Sequence, residues 1–454
     1  MGKLFGTDGI RGVVNAGLDA ELAYKVGLAA AMVLAEEKKK GKPLFVIGKD
    51  TRISCDLLKC SLVAGLCSAG ADVLDVGPIP TPGVAWVTVN SKADAGIVIS
   101  ASHNPFEHNG IKIFNGNGFK LSDELEEKIE SVILSGTNKV PRKTHGEIGQ
   151  VNYIAARASD DYIDHLVSTV TSDLSGLRIL VDCANGAAST IAAHLFGRFP
   201  KLRTDVINAD PDGVNINQNC GSTHLDTLAG MVKAGGYDIG IAFDGDADRC
   251  LAVDETGAVI DGDQIMAICG RAMKEKGKLP GNAVVATVMS NIGLRIFAKE
   301  NGLTLLATDV GDRHVLEKME ECGYMLGGEQ SGHMIFREFA TTGDGELTAL
   351  QLLQILKESG RKASELAGDC KKYPQYLVNV PVTDNAMKAH IMAEPALSEM
   401  IEREEAALNG EGRILVRPSG TEALIRVMVE GKDPGLAETC AHNLAEYIKL
   451  ISKM

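Results

Sequence analysis

One recurring pattern constrains the fold of this chain more than any other feature. A short apolar run ends in glycine and polar residues, and a helix-length segment then leads to the next such run. Parallel strands buried on both faces read as near-continuous apolar stretches, and the helices between them cover the sheet. "PLFVIGKDTR" (43–52) reads as strand and loop, 57–69 as a helix, "ADVLDVGPIPTP" (71–82) as a strand ending in a Pro-rich turn, and "DAGIVISAS" (94–102) as the next strand. The composition turns polar at 135–160, which marks a boundary, and the pattern then restarts. "LRILVDCANGAAS" (177–189), "TDVINAD" (204–210) and "YDIGIAFDGDADR" (237–249) make a second round. "NAVVATVMSN" (282–291), "LTLLATDVGDRH" (303–314) and "GYMLGGEQSGHMIF" (323–336) make a third, followed by an amphipathic helix at 342–359 capped at Thr or Asp. Near 360–374 the register changes: "YLVNVPVTD" (376–384) and "GRILVRPSGTEALIRVMVEGK" (412–432) alternate like antiparallel strands, with helices over 387–407 and 434–452. The expected architecture is therefore α/β. Three similar mixed α/β domains (1–150, 151–255 and 256–368) precede a smaller C-terminal α+β domain (369–454).

With 454 residues the chain exceeds what one core organises. Its 60 acidic against 46 basic residues give a net charge of −14, which weighs against nucleic-acid binding, since that needs a basic face. No run of about 18 apolar residues exists, so no membrane span is expected. The opening "MGKLFGTDGIRG" lacks the apolar core of a signal peptide. Ten cysteines stand singly with no C-x-x-C pair, which argues against a zinc site and fits reduced thiols in the cytoplasm.

The chemistry lies in the loops that follow the apolar runs, where open α/β sheets bind ligands. Ser102, after "AGIVI", can be a nucleophile, a helix cap or a turn residue, and the G-x-S-x-G elbow of hydrolases is absent. In "DGDADR" Asp244, Asp246 and Asp248 alternate; in a straight strand the outer two would lie roughly 13 Å apart, too far to share an ion. The small residues between them let the chain curl until three carboxylates converge, and these repel unless a cation neutralises them. Oxygen-only ligands suit Mg²⁺, and the adjacent Arg249 suits a phosphate or carboxylate. "DGDQ" (261–264) lacks a third acid and reads as a structural turn. "GGEQSGH" offers Glu329 to accept from neighbouring hydroxyls and His333 to exchange a proton near neutrality. "RPSGTEALIR" offers Arg417, Ser419, Gly420 and Thr421, an inventory that fits a phosphate dianion without being a Walker A loop. Arg11 in "GTDGIRG" and Lys112 in "NGIKIF" are further cations within reach of an anion.

Taken in order, "GTDGIRG", "ISASHNP", "DGDADR", "NINQNCGSTH", "GEQSGH", "TTGDG" and "RPSGTEALIRVMVEG" resemble the motifs of the α-D-phosphohexomutase family over essentially the whole chain. The resemblance implies four domains around a central cleft, each giving one loop. It implies that Ser102 carries a phosphoryl group, and that Asp244, Asp246 and Asp248, with a phosphoserine oxygen, hold Mg²⁺. It implies that Glu329 and Ser331 bind sugar hydroxyls, with Gly311, Asp312 and Arg313 on a loop facing the sugar. Arg417, Ser419, Gly420 and Thr421 would hold the phosphate that is not reacting, with Arg426 following. Arg11, Lys112, Arg249 and His333 would surround the transfer, Lys112 or His333 serving as general acid/base. The substrate is then a small phosphosugar, a hexose 1,6-bisphosphate is intermediate and activator, and the family implies a homodimer, although no interface is legible. The motifs look like the branch that interconverts glucosamine 6-phosphate and glucosamine 1-phosphate, on the route to UDP-N-acetylglucosamine and cell-wall precursors. Rival readings are the mannose or glucose phosphate branches, a Mg²⁺-dependent sugar phosphatase, and a non-catalytic phosphosugar-binding protein. One departure is Ala423, where the family often has proline, which would stiffen the exit of the phosphate loop.

Overall fold

The computed structural model describes residues 4–6, 8–35, 41–419 and 423–452. Residues 1–289 and 303–368 form one compact unit, and residues 290–302 and 369–454 form another.

The first unit holds three sheets. In the six-stranded sheet the order is Ile10–Val13, His108–Asn115, Ala95–Ile99, Leu44–Lys49, Asp72–Pro78, Val151–Tyr153. The last four are parallel, whereas His108–Asn115 runs antiparallel to both of its neighbours. The five-stranded sheet runs Val259–Ile260, Cys250–Asp254, Ile239–Phe243, Arg178–Asp182, Arg203–Ile207, with its last three strands parallel. The third sheet runs Thr304–Thr308, Ala283–Thr287, Leu326–Gly328, Met334–Phe336; only the last strand is antiparallel. Central strands are buried at every position, as in "AGIVI" (95–99) and "IGIAF" (239–243), which is why they read as unbroken apolar runs. Helices Ala20–Ala35 and Cys55–Ser68 pack closely on the first sheet because glycines face each other. A Cβ on Gly27 would stand 2.2 Å from the Leu62 carbonyl oxygen, and one on Gly65 2.3 Å from that of Tyr24.

The second unit is a three-stranded antiparallel sheet, ordered Gln375–Pro381, Leu424–Gly431, Gly412–Pro418. Helix Pro434–Ile451 covers it with an apolar face of Ala437, Cys440, Ala441, Leu444 and Ile448. Segment 290–302, with helix Ile292–Glu300, belongs here: the buried Glu430 carboxylate accepts from Asn291 Nδ2 at 3.2 Å and Ile292 N at 2.9 Å.

The fold agrees with the expected class and differs in detail. The Pro-rich turn leads into a helix, Thr81–Asn90, with proline in its first turn, where a missing N–H costs nothing. The stretch after Asp182 is a 3₁₀ turn, Ala187–Thr190, and a short helix, Ala192–Gly197. The run 387–407 is two helices, Asn385–Met392 and Pro395–Ala407, because a proline at 395 starts a helix more readily than it continues one. "DGDQ" is structural, as expected: Asp261 and Gln264 form a capping box that starts helix Gly262–Glu275.

Candidate active site

The apolar strand Ala95–Ile99 delivers a serine held in a left-handed conformation, Ser102 with φ 52°. Non-glycine residues adopt such a backbone only where the surroundings hold it. Here the Ser102 N–H donates to Ser100 Oγ (2.9 Å), whose hydroxyl donates to Asp50 Oδ2 (2.6 Å). The buried Arg52, 2.9 Å from Asp50 through Nε, donates from Nη2 to the carbonyl oxygens of Ser102 and Asn104, both at 2.8 Å. Its Nη1 reaches the carbonyls of Pro105 and His108. No helix follows Ser102; the chain turns into strand His108–Asn115, so the cap reading falls. Ser102 is 1% exposed, and its hydroxyl donates to Asp244 Oδ2 at 2.6 Å.

Asp244, Asp246 and Asp248 follow the buried strand Ile239–Phe243, and they converge as the curled loop predicts. One carboxylate oxygen from each lies within 4.8 Å of the others. Ala247 makes the curl with φ 55°. Gly245 is a close approach: a Cβ there would stand 2.5 Å from the Ser102 carbonyl oxygen, so the metal loop and the serine loop touch only through glycine. Asp246 Oδ2 accepts from Thr81 Oγ1 (2.7 Å) and Lys112 Nζ (2.8 Å). Asp246 Oδ1 and Asp248 Oδ1 are buried with no hydrogen-bond partner. Burial first, then Asp248 and Asp246, push Asp244 up to about 8, the like-charge repulsion that a divalent cation relieves. Asp248 is driven the other way: burial opposes it, but Lys112, His333 and Arg249 hold its carboxyl well below the usual range. Three buried carboxylates with two orphaned oxygens fit a hard cation such as Mg²⁺.

Beside this cluster opens a cavity of about 540 Å³, lined by Asp8, Arg11, Lys120, Asp248, Arg249, Glu329 and His333, and by the Gly311–Asp312–Arg313 loop. An isolated antiparallel bridge between Arg249 and His333 joins the metal loop to the "GGEQSGH" turn. Arg249 Nη1 lies 3.2 Å from His103 Nδ1, and its Nε, like that of Arg11, is buried without a hydrogen-bond partner. Arg11 pairs with Asp8, and Lys120 bridges Asp8 (2.6 Å) and Asp312 (2.7 Å). Buried Lys112 stays charged because Asp246, Asp8 and Asp248 outweigh its desolvation. Burial lowers His333, but Asp312, Asp248 and Glu329 outweigh it and raise the ring to about 9. In that form Nε2 donates to Asp312 Oδ2 (3.3 Å); the Gly343 N–H, 3.1 Å away, can donate to the neutral ring only. Glu329 Oε1 accepts from the Gly311 N–H at 3.2 Å, and Arg313 pairs with Asp123 and Glu317. Ser331 stands exposed on its turn and is not among the residues lining this cavity.

In the second unit, Arg417 and Arg426 are direct partners in antiparallel register at the base of the "RPSGTEALIR" hairpin. Burial, then Arg426, lowers the basicity of Arg417, an arrangement an anion would relieve. Buried Ser419 gives its carbonyl to Lys388 Nζ at 2.7 Å. Gly420 and Thr421 lie outside the described residues. Ala423 does not leave the loop exit unheld, since its carbonyl accepts from Val382 N at 2.9 Å.

Several residues that shape the site escape a reading of the sequence: Asp8, Asp50, Arg52, Thr81, Lys120, Asn217 and Lys388. The only signal for Arg52 is a charged "KDTR" directly after an apolar strand. Lys120, in "GFKLS", carries none.

Four models of one family match in order: domain I of phosphoglucomutase/phosphomannomutase over 2–140, domain II over 160–257, domain III over 261–373 and the C-terminal domain over 377–447. The chain belongs to the phosphoglucomutase/phosphomannomutase family, whose members are α/β enzymes of four such domains. Within it, a phosphoglucosamine mutase of Acetivibrio thermocellus is 54% identical over 451 residues, 99% of each chain. Among solved structures, a phosphoglucomutase/phosphomannomutase family protein of Burkholderia thailandensis has a TM-score of 0.80 at 24% identity, covering 99% of this chain and 97% of that one. The N-acetylphosphoglucosamine mutase of Aspergillus fumigatus, solved with GlcNAc-6P and magnesium, has a TM-score of 0.65 at 18% identity, covering 99% and 96%.

Proposed function

We propose that this chain interconverts glucosamine 6-phosphate and glucosamine 1-phosphate through a phosphorylated Ser102 and a glucosamine 1,6-bisphosphate. The observation that carries the reading is the buried Ser102 hydroxyl, 2.6 Å from Asp244 at the head of a three-carboxylate cluster. The branch is supported by relatives named phosphoglucosamine mutase at 51–54% identity over 99% of the chain, which disfavours the mannose, glucose and phosphatase readings.

In the forward half, the P–Oγ bond of phosphoserine breaks as a bond forms from phosphorus to O1 of the 6-phosphate sugar. The O1 proton is lost, and Ser102 Oγ is protonated. The bisphosphate then turns over, its 6-phosphoryl group passes to Ser102, and glucosamine 1-phosphate leaves. Such transfer needs positioning and charge neutralisation above all. Asp244, Asp246 and Asp248 would hold Mg²⁺, which supplies neutralisation of the phosphoryl oxygens. Lys112 and His333 both enter protonated, so each serves as a donor to a developing oxyanion. Arg11 and Arg249 bring guanidinium edges to the reacting phosphate. Glu329, with the Gly311–Arg313 loop and Ser331, binds sugar hydroxyls. Arg417, Ser419, Gly420, Thr421 and Arg426 hold the idle phosphate, a role the facing arginines support.

The domain limits 1–150, 151–255, 256–368 and 369–454 are proposed with the order of the four family matches in their favour. A cytoplasmic setting is proposed on ten free cysteines; among the described residues no helix is long and apolar enough to cross a membrane.

The test is ³¹P NMR of the protein with Mg²⁺, a trace of glucose 1,6-bisphosphate and glucosamine 6-phosphate, with glucose and mannose 6-phosphates in parallel. Glucosamine 1-phosphate should appear fastest and without free phosphate, and Ser102→Ala should abolish turnover while the fold survives. A faster hexose tube would move the branch. Free phosphate, or full activity in Ser102→Ala, would overturn the mechanism.

A further inference from the structure

Two carbonyl oxygens of the serine loop, those of Ser102 and Asn104, are each hydrogen-bonded twice, by one donor from the first sheet and one from the second. Arg52 Nη2 reaches both at 2.8 Å. Asn217 Nδ2 reaches them at 2.9 and 3.1 Å. Arg52 follows strand Leu44–Lys49 of the first sheet, whereas Asn217 lies between strands Arg203–Ile207 and Ile239–Phe243 of the second. Asn217 is buried, is itself left-handed with φ 59°, and is fixed through its N–H to the Ala184 carbonyl at 2.8 Å. The same amide packs on the metal loop, since a Cβ on Gly245 would stand 2.8 Å from Asn217 Nδ2 and 2.5 Å from the Ser102 carbonyl oxygen.

The consequence for Ser102 is a clamp on both sides of its α-carbon. Its N–H is held through Ser100 by Asp50, and its carbonyl is held by the arginine that Asp50 neutralises. Asn217 then references that carbonyl to the sheet that carries Asp244, Asp246 and Asp248. We propose that Asn217 and Arg52 are positioning residues for phosphoryl transfer: they set where the Ser102 oxygen stands relative to the three aspartates, and touch neither sugar nor phosphate. The inference rests on the phosphoserine reading above. A displacement of the reacting oxygen by 1 Å can cost about a hundredfold in rate.

Two variants test it. Asn217→Gly removes both hydrogen bonds and tolerates the positive φ. Arg52→Lys keeps the charge and loses the planar fork that spans four carbonyls. Wild type and variants are compared by steady-state kinetics with glucosamine 6-phosphate and by intact mass during phosphorylation of Ser102 by glucose 1,6-bisphosphate. In Asn217→Gly, kcat should fall about ten- to a hundredfold and KM stay within about twofold. The rate of serine phosphorylation should fall in step. Arg52→Lys should do the same where it folds; the glycine variant carries the test where it does not. A lower melting temperature with unchanged kcat per phosphorylatable serine would make Asn217 merely structural and overturn the assignment. So would a raised KM with unchanged kcat, which would mean contact with substrate. If wild type takes no phosphate on Ser102, the phosphoserine reading itself fails. If wild type takes it and Asn217→Gly takes it equally fast, only the positioning role fails.

Discussion

Two clusters of buried charge lie in the same α/β unit, and they are built on opposite terms. Under the serine loop, Asp50 and Arg52 have fully buried side chains, and every polar contact is answered. Asp50 accepts from Arg52 N and Nε, Ser100 Oγ and Cys55 Sγ, and Arg52 spends its donors on four backbone carbonyls. At the head of helix Gly345–Ser359, Asp344 caps the helix through Leu347 N (2.9 Å) and accepts from Tyr162 OH (2.7 Å). Two residues on, Glu346 is completely buried, and neither carboxyl oxygen has a hydrogen-bond partner. Burial, then Asp344, pushes its carboxyl well above the usual range, so it is held as the neutral acid. The first cluster turns burial into geometry at a reacting group. The second carries a desolvation penalty for which the structure shows no return.

The largest effect should come from breaking the satisfied cluster. Arg52→Met leaves the Asp50 carboxylate buried and unpaired and releases four carbonyls. Removing one partner of a buried pair costs about 3–5 kcal/mol. We expect a melting temperature well below wild type and loss of mutase activity. Thermal unfolding followed by circular dichroism checks the first, and a coupled assay the second. A change within error in both would mean that the serine loop is held by other contacts.

The comparison also explains how far the sequence could be read. Strands such as 95–99 and 239–243 are legible because burial on both faces demands an unbroken apolar run. The loops after them are legible because glycines and acids there have no place in a strand. The three aspartates are legible because their chemistry follows from spacing that local curling can close. Arg52 is not, since its role is created by a fold that brings it to Ser102 from 50 residues away, and Asn217 acts across 115. Helix Thr81–Asn90 was hidden because its β-branched, Pro-containing sequence carries little helix propensity, and burial of almost every residue decides its form instead. Glu346 reads as an ordinary polar residue of an amphipathic helix, and only packing reveals that its carboxyl is enclosed.

A smaller effect of opposite sign should come from relieving the unsatisfied cluster. Glu346→Met keeps an unbranched side chain and removes a buried polar group without partners, a penalty of about 1–3 kcal/mol. The variant should therefore melt above wild type with its Mg²⁺ titration unchanged. Destabilisation instead would show that the carboxyl is paired through water, and the contrast with Asp50 would disappear.

The smallest effect is a slope with pH. Burial raises Asp344 to about 6, with the Leu347 N–H and Tyr162 OH bonds opposing the shift. Its unfolded value is 3.8, so between roughly pH 4 and 6 the folded state binds more protons than the unfolded one. The stability this contributes is complete below the unfolded value and is lost as pH rises through about 6. Asp344→Asn cannot titrate, yet its side-chain oxygen can still accept from Leu347 N, so the cap should survive. Urea unfolding at half-unit steps from pH 4 to 7 should give a curve for wild type that falls relative to the variant across this window, then runs parallel to it above pH 7. Curves parallel throughout would mean that the Tyr162 and Leu347 donors hold Asp344 ionised in the fold. Both clusters would then be charged and satisfied at Asp344, and Glu346 alone would carry the difference between them.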